Sequence, residues 1–143
     1  MNNIKQIIEA IKKQDIQKLN EYKPSPEQEC GCQKMKLIHL AASQSKVESL
    51  QYFVENFQNL EITDSIGRTP LHYAINYGLI DNAKLLIQKG ANIEAQTLGG
   101  DTPLIKSALL KRKECYQYLI SKGANKQHQN LIGQSAEQIQ QYN

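Results

Sequence analysis

Asp64-Ser65-Ile66-Gly67-Arg68-Thr69-Pro70-Leu71-His72-Tyr73-Ala74 opens a unit that Leu85-Leu86-Ile87-Gln88-Lys89-Gly90-Ala91-Asn92 closes. The same punctuation returns further along. Thr69-Pro70-Leu71 recurs as Thr102-Pro103-Leu104, and Gly90-Ala91-Asn92 recurs as Gly123-Ala124-Asn125, both at an offset of 33 (102 − 69 and 123 − 90). A fixed period of this length, with helix-opening and helix-closing residues in phase, predicts a solenoid of stacked helix pairs.

Each unit has a readable physical logic. Thr69 suits an N-cap, and Pro70 suits the first helical position, where its missing N–H costs nothing. Leu71, Ala74 and Ile75 then fall at helical spacing, and Gly78 ends this short helix. A second helix carries Ile80, Ala83, Leu85, Leu86 and Ile87 on its apolar face, and Gly90 ends it. Asp64 to Gly67 and Asn92 to Gln96 form the polar turn and loop between units. Neither helix is long enough to stand alone in water, so stacking must supply the burial.

These residues resemble an ankyrin repeat, specifically over 64–96 and well over 97–129. Stepping back by one period sets Ile38-His39-Leu40-Ala41-Ala42 over Leu71-His72-Tyr73-Ala74-Ile75, so a unit spans about 31–63, with Lys36-Leu37 replacing the Thr-Pro cap. Stepping forward gives a partial unit over 130–143, where Ser135 and Gln138 read as a capping box. Residues 1–30 read as a degenerate helix pair and linker, with Ile4, Ile7, Ile8 and Ile11 on one face and Ile16 and Leu19 on another. The expected fold is therefore all-α. It is a single ankyrin-repeat solenoid over 1–143, with about three full helix-turn-helix repeats between an N-terminal cap and a truncated C-terminal capping repeat. The resemblance also implies that His39 and His72 tie neighbouring turns together. It implies that the turn tips and the exposed side of each first helix form a concave recognition face.

Composition narrows the function. The chain has 143 residues and a formal net charge of +3, too small to imply nucleic acid by itself. No apolar run approaches the roughly 18 to 20 residues needed to span a bilayer. The N-terminus lacks a signal-peptide core, and Glu9 and Asp15 argue against a transit peptide. These features predict a cytoplasmic or nuclear protein with reduced cysteines. Cys30-Gly31-Cys32 supplies half a metal site, but the third cysteine, Cys115, belongs to a helix two units away. No nucleophile elbow, phosphate-binding glycine loop or His-Glu-x-x-His motif is present. The carboxylates Glu9, Asp15, Glu48, Asp81 and Glu114 fall at helix starts and outer faces. No catalytic, cofactor-binding or metal residue is expected.

The expected function is non-catalytic protein binding, as an adaptor or as an accessory subunit of a larger assembly, with the chain itself a monomer or part of a hetero-oligomer. Mapping the concave face onto the sequence selects Met35, Ile66, Arg68, Asn76, Tyr77, Leu98, Asp101, Leu109, Leu110, Leu131 and Ile132. Turn tips are normally polar, so apolar residues among them point to a partner. An assembly subunit would need a second face, for which the outer helices offer Tyr52, Tyr116 and Tyr118. The alternative is charge-driven binding of nucleic acid or an acidic surface through Lys111, Arg112 and Lys113, helped by Lys12 and Lys13. Without aromatic neighbours to stack bases, that run reads as a solvated helix link. The third unit is expected to be weaker than the second, because Ile105, Ser107 and Lys113 replace His72, Ala74 and Ile80.

Overall fold

Pro70 and Pro103 each take the first position of a seven-residue helix, as the Thr-Pro steps predict. The computed structural model describes residues 4–141. Among them nine α-helices follow in order: α1 (Ile4–Lys13), α2 (Ile16–Tyr22), α3 (Leu37–Ala42), α4 (Glu48–Asn56), α5 (Pro70–Asn76), α6 (Ile80–Gln88), α7 (Pro103–Leu109), α8 (Lys113–Ser121) and α9 (Ala136–Gln141). No strand forms among the described residues. Two isolated antiparallel bridges, Glu29 to Lys36 and Gln129 to Ser135, merely close turns.

The helices pair and stack in two rows. α1, α3, α5, α7 and α9 pack side by side, and α2, α4, α6 and α8 form a second row behind them. One core runs the length of the stack, through Ile11, Leu37, Phe53, Leu71, Leu86, Leu104 and Leu119. At the C-terminal end, Ser135 and Gln138 form the capping box that their spacing predicts. Ser135 N–H donates to Gln138 Oε1 at 2.9 Å, and Gln138 N–H donates to Ser135 Oγ at 3.2 Å. At the other end, Asp15 caps α2 by accepting from Lys18 N–H at 3.1 Å.

The helix ends share one closing geometry. Leu79 N–H donates to Ala74 O, Ala91 N–H to Leu86 O, and Ala124 N–H to Leu119 O, at 2.9 to 3.1 Å. Each such closure needs a left-handed residue just before the donor, supplied by Gly78 (φ 68), Gly90 (φ 94) and Gly123 (φ 87). α7 closes the same way, through Arg112 N–H to Ser107 O at 2.8 Å. There the left-handed residue is Lys111, at φ 55, in the place Gly78 holds one unit earlier.

Buried polar side chains bind one unit to the next. His39 Nδ1 accepts from Lys36 N–H at 3.0 Å, and its Nε2–H donates to Ile62 O at 2.8 Å. His72 accepts from Thr69 N–H at 3.2 Å and donates forward to Asp101 O at 3.0 Å. Asn82 donates backward to Ala42 O at 3.0 Å and Gln44 O at 2.8 Å. Ser49, one period before Asn82, donates to Ile11 O at 2.9 Å. On the outer loops, Glu61 accepts from Asn92 N–H and Glu94 from Asn125 N–H, at 2.9 and 2.8 Å.

One expectation needs correction. Tyr52 is not on an outer surface. It is buried, and its hydroxyl donates to Leu19 O at 3.1 Å, because α4 turns that side toward the N-terminal helix pair. In the third unit, two of the three replacements are accommodated without an unmet polar group. Ile105 is fully buried, and the Ser107 hydroxyl donates to Leu104 O at 2.7 Å, so neither leaves an unmet group. Lys113 is exposed where Ile80 is half-buried.

Candidate interaction face

The turn tips are built alike, whatever residue opens them. Asp64 Oδ1 accepts from Ile66 N–H at 3.0 Å and Arg68 N–H at 2.9 Å. Thr97 Oγ1 accepts from Asp101 N–H at 3.2 Å, and Asn130 Oδ1 accepts from Ile132 and Gln134 N–H at 3.2 and 2.9 Å. Gly67, Gly100 and Gly133 supply the left-handed residue, at φ 81, 76 and 78. Lys34 takes that place in the first tip, at φ 54, after Gln33 at φ 56.

Successive tips are then zipped through their main chains. Ser65 N–H donates to Gln33 O at 2.7 Å, Leu98 N–H to Ile66 O at 2.9 Å, and Leu131 N–H to Gly99 O at 3.0 Å. Donors and acceptors each advance by one period, so the tips make a continuous strip with a fixed register. With the backbone committed to this ladder, Leu98, Leu131 and Ile132 project into solvent, at 71, 78 and 77% exposure. Ile66 is more covered, at 39%. At the ends of the first helices, Tyr77 is exposed, whereas Leu109 and Leu110 keep more than half of their surface covered, at 38 and 43% exposure.

Arg68 and Asp101 on this face are already engaged. Arg68 Nε donates to Asp64 Oδ2 at 2.7 Å, and its Nη2 donates to Gln33 Oε1 at 2.6 Å and Tyr73 Oη at 3.0 Å. The guanidinium also lies 4.7 Å over the Tyr73 ring. Burial alone would raise the Asp64 pKa, but the donors of Arg68, Tyr73 and Ile66 outweigh it and hold the carboxyl below its usual range. Asp101 pairs with Lys106 at 2.9 Å and accepts from Asn130 Nδ2 at 2.8 Å. Met35 is half-buried against the core. Asn76 Oδ1 is buried and meets no hydrogen-bond donor.

Two hollows meet at Arg68 and Asn76. One, of about 470 Å³, lies between the second and third tips, with Ile66, Leu98, Gly99 and Lys106 around it. The other, of about 280 Å³, runs from Cys32 and Met35 to Tyr77. Lys111 and Lys113 line neither of them. They flank a hollow of about 430 Å³ with Tyr116, Gln117 and Gln140. Arg112 is bonded to Asn76 O at 2.8 Å.

Other chemistry finds little footing. No group of three or more His, Cys, Asp or Glu side chains is placed to hold a metal ion among the described residues. Burial pushes the Cys30 thiol up to about 11, away from the thiolate that metal binding or nucleophilic attack requires. The Cys115 thiol is raised too, by burial first and then by Glu114. No described helix is long and apolar enough to cross a membrane.

Comparison with known families agrees with this geometry. A model described as ankyrin repeats (3 copies) matches residues 3–97 and 38–130. The chain belongs to the ankyrin-repeat family. Ankyrin repeats are in general protein-interaction modules, and the family is generally non-catalytic. No curated protein matches the chain.

The ankyrin register also shows what a residue-by-residue reading passes over. Asn59, Asn92 and Asn125 stand one period apart, and each accepts from the N–H two residues on, at 2.9 to 3.0 Å. That recurrence is visible in the sequence. The Asn82 clamp has no such signal, because its equivalents are Ser49 and Cys115.

Proposed function

We propose that this ankyrin solenoid holds a partner protein on the concave strip of turn tips and first-helix ends, as a non-catalytic adaptor or an accessory subunit of a larger assembly. In this reading the repeats run over 31–63, 64–96 and 97–129, capped by 1–30 and 130–143. The observation that carries the proposal is the placement of apolar surface. Ile66, Leu98, Leu131 and Ile132 lie on zipped tips, and Tyr77, Leu109 and Leu110 lie at the helix ends beside them. Exposed apolar side chains concentrated in one region mark interaction sites. Arg68 and Asp101 then serve as a rigid polar frame rather than as free hydrogen-bonding arms, with Met35 packed on the core and Asn76 between the hollows. A cytoplasmic or nuclear location goes with the three unpaired cysteines.

The test is purification of tagged protein from its native cell after crosslinking. Crosslinks to one partner from residues on the tips support the reading. The triple change Leu98→Asp, Leu131→Asp and Ile132→Asp should abolish capture without unfolding the chain, since these side chains are mostly in water already. Crosslinks confined to α6 and α8 would overturn it. Unchanged capture by the triple variant would do the same.

A further inference from the structure

Gly99 is the one tip position of its kind without a side chain. The equivalent places, one period apart at 33, 66, 99 and 132, hold Gln33, Ile66, Gly99 and Ile132. The backbone does not require this glycine. Gly67, Gly100 and Gly133 carry the left-handed φ of the tips, and Gly99 does not. Crowding does not require it either, since a Cβ on Gly99 meets only Thr97 Oγ1, at 3.7 Å. Gly100 is different, because a Cβ there falls 3.1 Å from Leu131 N. Gly99 lines the hollow of about 470 Å³ that Ile66 and Leu98 also border, and adds no side chain to it.

The lining specifies the occupant. Its charges are paired internally, Lys106 with Asp101 at 2.9 Å and Arg68 with Asp64 at 2.7 Å. A further charge entering here would lose water and gain no counter-ion. The rims contributed by Ile66 and Leu98 are apolar. Among the lining residues, Asn76 has an Oδ1 that lacks a donor. A segment with free main-chain N–H groups offers one once the amide turns, whereas the N–H groups of a helix interior are already spent.

We propose that the hollow beside Gly99 is a socket for one uncharged aliphatic side chain, presented on an extended segment of a partner protein. The inference rests on the concave-face reading above and adds the chemistry that the face selects.

The probes are capped pentapeptides, acetyl-Gly-Ser-X-Ser-Gly-amide with X as Leu, Ala, Glu or Lys, titrated to millimolar concentration into isotope-labelled full-length protein. The Leu peptide should move the Leu98 and Gly99 amide resonances and the Asn76 side-chain amide. It should bind about tenfold or more tightly than the Ala, Glu or Lys peptides. Gly99→Ile should erase this response and leave the rest of the spectrum in place, because the backbone already carries isoleucine at both neighbouring tips. Gly99→Ala should weaken it partially, and carries the test should the isoleucine variant fail to fold. Equal response to Glu or Lys, no response to Leu, or a Leu response surviving in folded Gly99→Ile each overturns the socket. Shifts at the same residues that grow with protein concentration alone would assign the hollow to a second copy, and would overturn the partner assignment. Native complex retained by Gly99→Ile but lost by the triple tip variant would sink the socket alone. No complex with the unaltered chain would sink the concave-face reading itself.

Discussion

His72 is held as a neutral ring. Burial pushes its pKa down to about 4, and its Nδ1 accepts from the Thr69 N–H, a bond that a second ring proton would displace. The unfolded chain takes up that proton near pH 6.5. The stability conferred by the neutral ring is therefore fully present above about pH 6.5 and is lost as pH falls toward about 4. The loss across that window is on the order of 3 kcal/mol. Urea unfolding of the unaltered chain between pH 7 and pH 4 should show this slope, and His72→Gln should flatten it. A parallel slope in the variant would place the titration elsewhere. Lys111 is a second site where one residue sets a local energy. Its φ of 55 is a glycine conformation carried by a side chain. Left-handed backbone costs such a residue about 1–2 kcal/mol, and glycine loses about 0.5–1 kcal/mol more chain entropy on folding. Lys111→Gly should then stabilise the protein by about 0.5–1 kcal/mol in urea unfolding. Gly78→Ala should destabilise it, since a Cβ there also meets Arg112 Cδ at 3.1 Å.

At the level of elements, the pairs α5–α6 and α7–α8 share a register but not a set of clamps. Asn82 on α6 satisfies two carbonyls of the preceding unit, while Cys115 on α8 stands at the equivalent place with a buried thiol. Asn82→Ala removes both hydrogen bonds and leaves Ala42 O without this donor in the interior, which should cost about 2–3 kcal/mol in urea unfolding. The link before α8 is strained at Lys111, and Lys113 is exposed where Ile80 is half-buried. Amide exchange in the free protein should accordingly be faster over 103–121 than over 70–88. Ile105 works against this, since its full burial offsets part of what the histidine bridge contributes. Equal protection would mean that apolar packing at Ile105 outweighs the missing clamps.

Across the whole molecule, the main helix contacts and the tip hydrogen bonds among the described residues link one unit to the next. The basic run directly follows Leu109 and Leu110 in the chain, but the tip residues Leu98, Leu131 and Ile132 can be altered without touching it. Lys111→Glu with Lys113→Glu should slow association and steepen or flatten its salt response, yet leave a complex, because rim charges act on encounter more than on docking. Binding that collapses in this variant, or that falls steeply with salt in the unaltered chain, would favour the charge-driven alternative. Arg112 is left out of that pair because it clasps Asn76 O over Gly78.

The helix pairs, their order and their period were legible in the chain, because Thr-Pro starts and glycine stops act locally. Thr69, Pro70 and Gly78 need only their own few neighbours to decide where a helix begins and ends. The exposure of Leu98 and Leu131 was readable too, once the register put them at turn tips. What a side chain does after stacking was not readable. Arg68 and Asp101 look free on a tip, and Tyr52 looks like an outer residue, until the adjacent unit brings Gln33, Asn130 and Leu19 within bonding distance. The Asn82 clamp and the space beside Gly99 are likewise properties of two units together. Helix boundaries depend on residues a few places apart in the chain. Hydrogen-bond partners and hollows depend on residues about 30 places apart that meet only when the solenoid is stacked.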